Sequence, residues 1–250
     1  MTQPARPQLV ILDDETMLAE MLARSFLSDA ALAIAARGVF CVALAGGSTP
    51  RAAYALLSSP AYRNALEWER VRFFFGDERC VPPDHPDSNY GMVRQALFAP
   101  LNVSETTIFR MRGEDEPSAA AAVYAQTLVR ELGPGALFDL VMLGMGPDGH
   151  TASLFPGMPP DDGSGDLVQV RLAPLGMRVS QRLTITPQVI NAGREVIVAT
   201  AGAAKAQTLA RVIDGMCDPV SYPIQSVRPG SGRLTWLVDR AAAALLRPRP

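Results

Sequence analysis

Short apolar runs rich in β-branched and aromatic residues recur along the 250-residue chain, and helix-like segments lie between them. The runs with the clearest polar ends span 39–45, 71–75, 138–143 and 195–201, and each leads into a turn that contains glycine. Strands that alternate with helices predict an α/β fold with a largely parallel sheet and helices on both faces, a Rossmann-like three-layer α/β/α sandwich. We see no shift in composition that marks a linker and predict a single domain over 1–250.

Further elements follow from periodicity and from capping residues. Strands are predicted at 8–12, 182–185 and 234–238, and helices at 15–37, 118–132, 187–192, 203–213 and 239–246. A helix is expected to begin in GGSTP, with Ser48 or Thr49 as its N-cap and Pro50 in its first turn. Ser88 is the expected N-cap of a helix over 89–98. The turn GMGPDGH at 144–150 is expected to start another helix, which Asp148 could cap.

Composition excludes several classes of partner. The formal net charge is −2, which gives no electrostatic argument for nucleic acid or an anionic membrane. The N-terminus lacks the apolar stretch of a signal peptide, and no run reaches the length of a membrane-spanning helix. The spacing of Cys41, Cys80 and Cys217 fits neither CxxC nor a zinc site. We expect them to be reduced thiols, as in cytoplasmic proteins. We therefore expect a cytoplasmic location.

The polar ends of the apolar runs are expected to meet at one rim, because ligands of open α/β sheets bind beyond the carboxyl ends of parallel strands. Glycines in Gly46-Gly47-Ser48-Thr49, followed by a helix N-terminus, suit a phosphate, although a plain strand-to-helix turn could have the same residues. The P-loop pattern and the dinucleotide fingerprint are absent. The residues expected at this rim are Ser48, Thr49, Asp77, Arg79, Asp148, His150 and Lys205.

His150 is the natural general acid or base at this rim, since imidazole titrates near neutrality. Asp148 could orient its ring, although a helix cap and an exposed first-turn histidine would have the same spacing. Arg79, Arg182 and Lys205, the only lysine, are candidate phosphate ligands, although a single arginine is more commonly a solvated surface residue. No metal is indicated, because the other histidine is far along the chain and HExxH is absent. A serine nucleophile is not indicated either.

Four stretches together resemble the 6-phosphogluconolactonase family, to which the glucosamine-6-phosphate deaminases are related. They are ALAGGSTPRAAYALL (43–57), FFGDERCVPPDHPDSNYGMVRQALF (74–98), FDLVMLGMGPDGHTASLFPG (138–157) and RLTITPQVINAGREVIVATAGAAKAQTL (182–209). The resemblance implies a fold of the sugar-phosphate isomerase/deaminase type. It also implies hydrolysis of 6-phospho-D-glucono-1,5-lactone in the oxidative pentose phosphate pathway, without a cofactor.

By the same resemblance, His150 would activate water with support from Asp148. The phosphate end would be held by Gly46, Gly47, Ser48, Thr49, Arg79, Arg182 and Lys205. Asp77 would have a binding or structural role. The alignment is loose before residue 182, so that either Arg178 or Arg182 could face the phosphate. A sugar-phosphate lactone is the expected partner, and a monomer or weak homodimer is the expected state.

Two other functions compete with lactone hydrolysis. In the deaminases, the pattern after DGH leads to a glutamate that assists ring opening, whereas this chain has Phe155 at that position. Phenylalanine cannot transfer a proton, which favours the lactonase. A non-catalytic sugar-phosphate sensor is the third possibility, and the presence of both His150 and Asp148 argues against it.

Overall fold

The computed structural model describes residues 7–160 and 163–248. All of the predicted strands except 182–185 form one parallel sheet, and 182–185 belongs to a second, three-stranded sheet. The six-stranded sheet has the order β1-β9-β8-β5-β2-β3, and every pairing in it is parallel. The strands are β1 (Gln8–Leu12), β2 (Phe40–Leu44), β3 (Val71–Phe75), β4 (Asp77–Arg79), β5 (Leu140–Gly144), β6 (Val168–Leu172), β7 (Gln181–Ile185), β8 (Glu195–Thr200) and β9 (Arg233–Asp239).

Helices cover the parallel sheet, and several of them have the predicted bounds. They are α1 (Glu15–Arg37), α2 (Ser48–Leu57), α3 (Asn89–Val93), α4 (Ala99–Leu101), α5 (Pro117–Leu132), α6 (Pro187–Ala192), α7 (Ala206–Asp214) and α8 (Arg240–Ala243), and a π-helical turn, Arg94–Phe98, joins α3 to α4. Ser88 caps α3 as predicted, its Oγ accepting the N–H of Gly91. Every helix within the described ranges is too short or too polar to cross a bilayer.

Alternate residues of the parallel strands face opposite sides of the sheet and build two cores. On β2, Phe40, Val42 and Leu44 pack into the core under α1 and α2. Cys41 and Ala43 pack into the opposite core, which α5 to α8 and the second sheet cover. The three-layer arrangement predicted from the sequence is therefore confirmed.

The sequence analysis missed the second sheet, in which β4, β7 and β6 are antiparallel. β4 has only three residues, all charged, so it lacks the apolar signal of a strand. Arg182 lies on β7 in this sheet, not at the end of a parallel strand. Arg182 therefore reaches the site region through antiparallel pairing with β4.

Two local predictions about turns were wrong. Gly47, not Ser48 or Thr49, is the N-cap of α2, and no side chain caps this helix. No helix follows the turn at 144–150; the chain makes a tight turn closed by a bridge between Thr151 and Leu154. Asp148 therefore has no helix to cap, and its carboxylate is free to bind the ring of His150.

The strand order reverses between β2 and β5. The chain builds outward from β2 to β3, then returns through β5, β8 and β9 toward β1. Loops that leave neighbouring strands in opposite directions open a crevice at such a reversal, where ligands of α/β proteins bind. This topology locates the candidate site.

Candidate functional site

A cleft of about 270 Å³ opens at the reversal between β2 and β5. It is lined by most of the residues that the sequence analysis placed at the rim: Gly46, Gly47, Ser48, Thr49, Asp77, Arg79, His150 and Lys205. Asp148 and Arg182 stand behind this lining, each next to a residue that belongs to it. Glu15, Asn89 and Thr200 also line the cleft, and the sequence analysis did not select them.

His150 and Asp148 form a hydrogen-bonded pair within one tight turn. The Nδ1 atom of His150 lies 2.6 Å from Oδ1 of Asp148. Burial favours a higher pKa for Asp148, but the hydrogen bond and charge of His150 outweigh it and hold that pKa below its ordinary value. An ionised Asp148 is an acceptor for an Nδ1–H of His150, and this hydrogen bond favours the neutral tautomer in which Nε2 has the free lone pair. The pair is therefore arranged so that Nε2 can accept a proton.

Two glycines allow this turn to close on the histidine. A Cβ on Gly146 would lie 2.0 Å from His150 Nδ1, so only glycine leaves room for the ring. Gly149 has φ +86°, and a Cβ there would lie 2.8 Å from Cδ1 of Tyr222. Outside the turn, the Thr208 hydroxyl binds the carbonyl of Pro147 and the Ile224 N–H binds that of Gly149. The histidine is thus fixed by its own turn and by the 208–224 region.

The Gly46-Gly47 loop presents the N-terminus of α2 to the cleft. Gly47 has φ +105° and contributes no side-chain cap, so the first N–H groups of the helix are left for a ligand. The loop leaves β2 at a fixed point, because the buried hydroxyl of Tyr54 binds both the N–H and the carbonyl of Ala45. Such a helix N-terminus is suited to an anion.

Arg79 and Arg182 are directly opposite each other on β4 and β7. Cross-strand partners have their side chains on the same face, so the two guanidinium groups are close like charges. Burial lowers the pKa of Arg182, and the charge of Arg79 lowers it further. The Nε of Arg79 and the Nε and Nη1 of Arg182 are buried without a hydrogen-bond partner among the described residues. Adjacent guanidinium groups with buried, unused donors are typical of a site that binds an anion.

Arg178, the alternative to Arg182, lies elsewhere. Its side chain is 83% exposed and stands 3.5 Å from Oδ1 of Asp87. Arg182 is 7% exposed and pairs with an arginine that lines the cleft. The geometry therefore favours Arg182 over Arg178 as the residue that faces an anion.

Asp77 is held as an acceptor on the cleft wall. Its Oδ2 accepts the hydroxyl of Ser153 at 2.7 Å, and its Oδ1 accepts the amide of Asn89 at 3.1 Å. Lys205 lies across the same cleft; burial lowers its pKa, and the Asp148 carboxylate opposes that shift. A hydrogen-bond acceptor, Asp77, and a cation, Lys205, thus line the same cavity.

Phe155 packs against His150 and does not line the cleft. Its ring centroid lies 5.4 Å from that of His150, and the side chain is buried. The described residues contain no group of three or more His, Cys, Asp and Glu side chains placed to hold a metal ion.

Besides Glu15 and Thr200, three buried residues at the site were not predicted: Glu78, Asn89 and Ser153. Each is buried and acts through a hydrogen bond to a distant part of the chain. The only local signal was their presence inside the GDER, DSNYG and GHTAS segments that had already been selected. Their partners could not be assigned without the fold.

Comparisons with known proteins identify the family of this chain. The family described as glucosamine-6-phosphate isomerases/6-phosphogluconolactonase matches residues 13–236. A 6-phosphogluconolactonase of Synechocystis is 38% identical over 97% of this chain and 99% of its own, and one of Treponema pallidum is 41% identical over 70% and 72%. The solved 6-phosphogluconolactonase of Trypanosoma brucei superposes with a TM-score of 0.83 at 28% identity, covering 97% of this chain and 99% of that one. The chain belongs to the glucosamine-6-phosphate isomerase/6-phosphogluconolactonase family.

Proposed function

We propose that this protein hydrolyses 6-phospho-D-glucono-1,5-lactone to 6-phospho-D-gluconate, with His150 as the general base. The observation that carries the proposal is the His150–Asp148 pair in a cleft whose wall also contains Arg79, with Arg182 behind it. A base that activates water and an anion site within one small cleft are what a phosphorylated lactone needs. The relatives that match most of the chain are named for this reaction.

The chemistry follows from the positions of the groups. Nε2 of His150 takes a proton from water, and the resulting hydroxide attacks the lactone carbonyl at C1. The C1–ring oxygen bond then breaks, and the imidazolium returns its proton to that oxygen, which becomes a hydroxyl group. Asp148 holds the ring in the required tautomer and stabilises the imidazolium. A single base of this kind contributes about 10²- to 10⁴-fold in rate.

Binding of the phosphate positions the reacting carbon. The α2 N-terminus after Gly46-Gly47, the Arg79–Arg182 pair and Lys205 offer N–H groups and positive charge to a dianion. Holding the far end of the substrate converts attack at C1 into an oriented, effectively unimolecular step. The proposal therefore assigns catalysis to the 146–150 turn and substrate retention to the GGST loop and the cations.

The position of Phe155 supports hydrolysis over deamination. A phenyl ring lies against His150 where a deaminase-type mechanism needs a proton-transferring acid. Hydrolysis of a lactone needs no such group, because its leaving oxygen can be protonated by His150.

Substitution of the histidine tests the proposal. We expect His150→Asn to lower kcat on freshly prepared 6-phosphogluconolactone by about 10²-fold or more, after subtraction of spontaneous hydrolysis. The matched control is His85→Asn, because His85 is the other histidine and lies in the 82–88 loop outside the cleft lining. Undiminished hydrolysis by His150→Asn would refute the mechanism, and release of ammonia from glucosamine 6-phosphate by the native protein would refute the reaction.

The remaining expectations stay predictions. We expect one domain over 1–250, a cytoplasmic location, no nucleic acid partner, and a monomer or weak homodimer.

A further inference from the structure

Glu78 is a buried carboxylate between the cleft-lining residues Asp77 and Arg79, and the proposed chemistry does not use it. Its side chain is 2% exposed and accepts four hydrogen bonds. Oε1 accepts the peptide N–H groups of Arg79 and Asn89 at 2.8 and 2.7 Å. Oε2 accepts the N–H of Tyr90 at 2.8 Å and the hydroxyl of Ser88 at 3.0 Å.

These bonds join the two ends of the 79–88 loop. Arg79 begins the loop at the end of β4, and residues 88–90 end it at the start of α3. Arg79 is held a second time, because its Nη1 donates to the carbonyl of Asp87 at 2.5 Å. One buried carboxylate therefore fixes both the backbone of Arg79 and the loop segment that its guanidinium contacts.

The same carboxylate places Asn89 against two other parts of the cleft. The Nδ2 of Asn89 donates to the carbonyl and to Oδ1 of Asp77. A Cβ on Gly46 would lie 2.0 Å from Oδ1 of Asn89, so the amide rests directly on the Gly46-Gly47 loop. Displacement of the Asn89 backbone would consequently disturb Asp77 and the loop before α2 as well as Arg79.

All four partners of Glu78 are donors, which explains why the residue is an acid. A carboxylate is acceptor-only, whereas a glutamine would direct its amide N–H groups at two of these donors. Burial raises the pKa of Glu78, while the backbone hydrogen bonds oppose that rise. Glutamine would keep the size of the side chain and lose half of its acceptor capacity, so this substitution isolates the role of the second oxygen.

We propose that Glu78 is a positioning residue for phosphate recognition, which sets Arg79 and the Asn89-supported Gly46-Gly47 loop in the geometry that binds the phosphate of the substrate. This inference rests on the proposed function. It assigns Glu78 no contact with the reacting carbon, so Glu78 should affect the phosphorylated end of a ligand and leave the His150–Asp148 pair unaffected.

The test compares two lactones in the purified full-length protein. We expect Glu78→Gln to raise KM for 6-phosphogluconolactone by about 10- to 100-fold, the range for losing hydrogen bonds to a charged group. Hydrolysis of glucono-1,5-lactone, which lacks the phosphate, should stay within about twofold of the native rate because the catalytic turn is untouched. A merely structural role would reduce hydrolysis of both lactones together.

The matched control is Glu116→Gln. Glu116 also accepts two backbone N–H groups, at 3.0 and 2.8 Å, but it caps α5 outside the cleft lining. We expect this variant to keep the native KM for both lactones. An unchanged KM in Glu78→Gln, or an equal loss on both lactones in a folded variant, would overturn the inference.

Two further measurements keep the test decisive. If Glu78→Gln does not fold, Ser88→Ala removes the hydroxyl bond to the carboxylate together with the cap on the Gly91 N–H. This variant should still raise KM for the phosphorylated lactone selectively. Calorimetric binding of 6-phosphogluconate separates this inference from the proposed reaction. A native protein that binds this ligand without hydrolysing the lactone would refute the reaction, while weaker binding by Glu78→Gln would still support the positioning role. Failure of the native protein to bind it would overturn both.

Discussion

Asp29 on α1 and Glu195 both pair with Arg233. Glu195 and Arg233 are the first residues of β8 and β9, at the end of the sheet opposite the cleft. The guanidinium of Arg233 lies 2.5 Å from Glu195 and 3.8 Å from Asp29. The pKa of Asp29 is raised to about 6 by burial and by the charge of Glu195, and Arg233 offsets only part of this rise. Asp29 is therefore a group whose ionisation should destabilise the folded protein.

The size of the effect follows from the ordinary pKa of 3.8. Each tenfold change in acidity corresponds to about 1.36 kcal/mol, so ionising Asp29 in the folded state costs roughly 3 kcal/mol. Between the two pKa values the folded protein holds a proton that the unfolded chain has lost. The contribution to stability is therefore fully present below about pH 4 and is lost as pH rises through about 6.

Asp29→Asn removes this titration. Relative to the native protein, we expect the variant to gain roughly 3 kcal/mol in free energy of unfolding at about pH 8, because the pKa of about 6 already includes the attraction of Arg233. At about pH 4 the gain should disappear, because Asp29 is then protonated in the native fold. Urea unfolding of both proteins at several pH values measures the difference.

Asp13→Asn is the matched control, because Asp13 also pairs with a single arginine, Arg240 at 2.6 Å, but on an exposed surface. Its stability difference from the native protein should not follow the same pH profile. Parallel pH profiles for the native protein and Asp29→Asn would refute the reasoning, since they would show that Asp29 titrates alike in the folded and unfolded states.

Other variants test single contacts of the site and its frame. Asp148→Asn should lower kcat for the proposed reaction by about 10²-fold with little change in KM, because a neutral amide neither stabilises the imidazolium nor fixes the tautomer of His150. Unchanged kcat in steady-state kinetics would contradict this. Gly149→Ala should lower the free energy of unfolding in urea by about 1–3 kcal/mol, since φ is positive and a Cβ would press on Tyr222. Gly38→Ala is the control, because φ is positive there but the space is open. An equal loss in both variants would show that backbone strain alone causes it. Tyr54→Phe should cost about 1–3 kcal/mol, because buried backbone groups at the end of β2 lose their partner, and a native midpoint in urea would contradict it.

Local spacing was sufficient to predict the frame of the fold. The bounds of β1, α1, β3 and α6 agree with the sequence predictions, because apolar periodicity and capping residues are properties of neighbouring positions. The candidate residues of the rim were predicted for the same reason: each directly follows a strand that its own sequence identifies. The family that the motifs resemble is confirmed by the comparisons.

The sequence by itself identified His150, Asp148, Arg79 and Lys205 as candidates for the chemistry, since these residues follow strands that local patterns predict. Only the tertiary structure decided how they act together. Arg79 and Arg182 become partners through antiparallel pairing between segments far apart in the chain, and Glu78 acquires its donors when residues 88–90 fold back onto it. Such contacts depend on the path of the backbone between the residues, which local side-chain patterns do not specify.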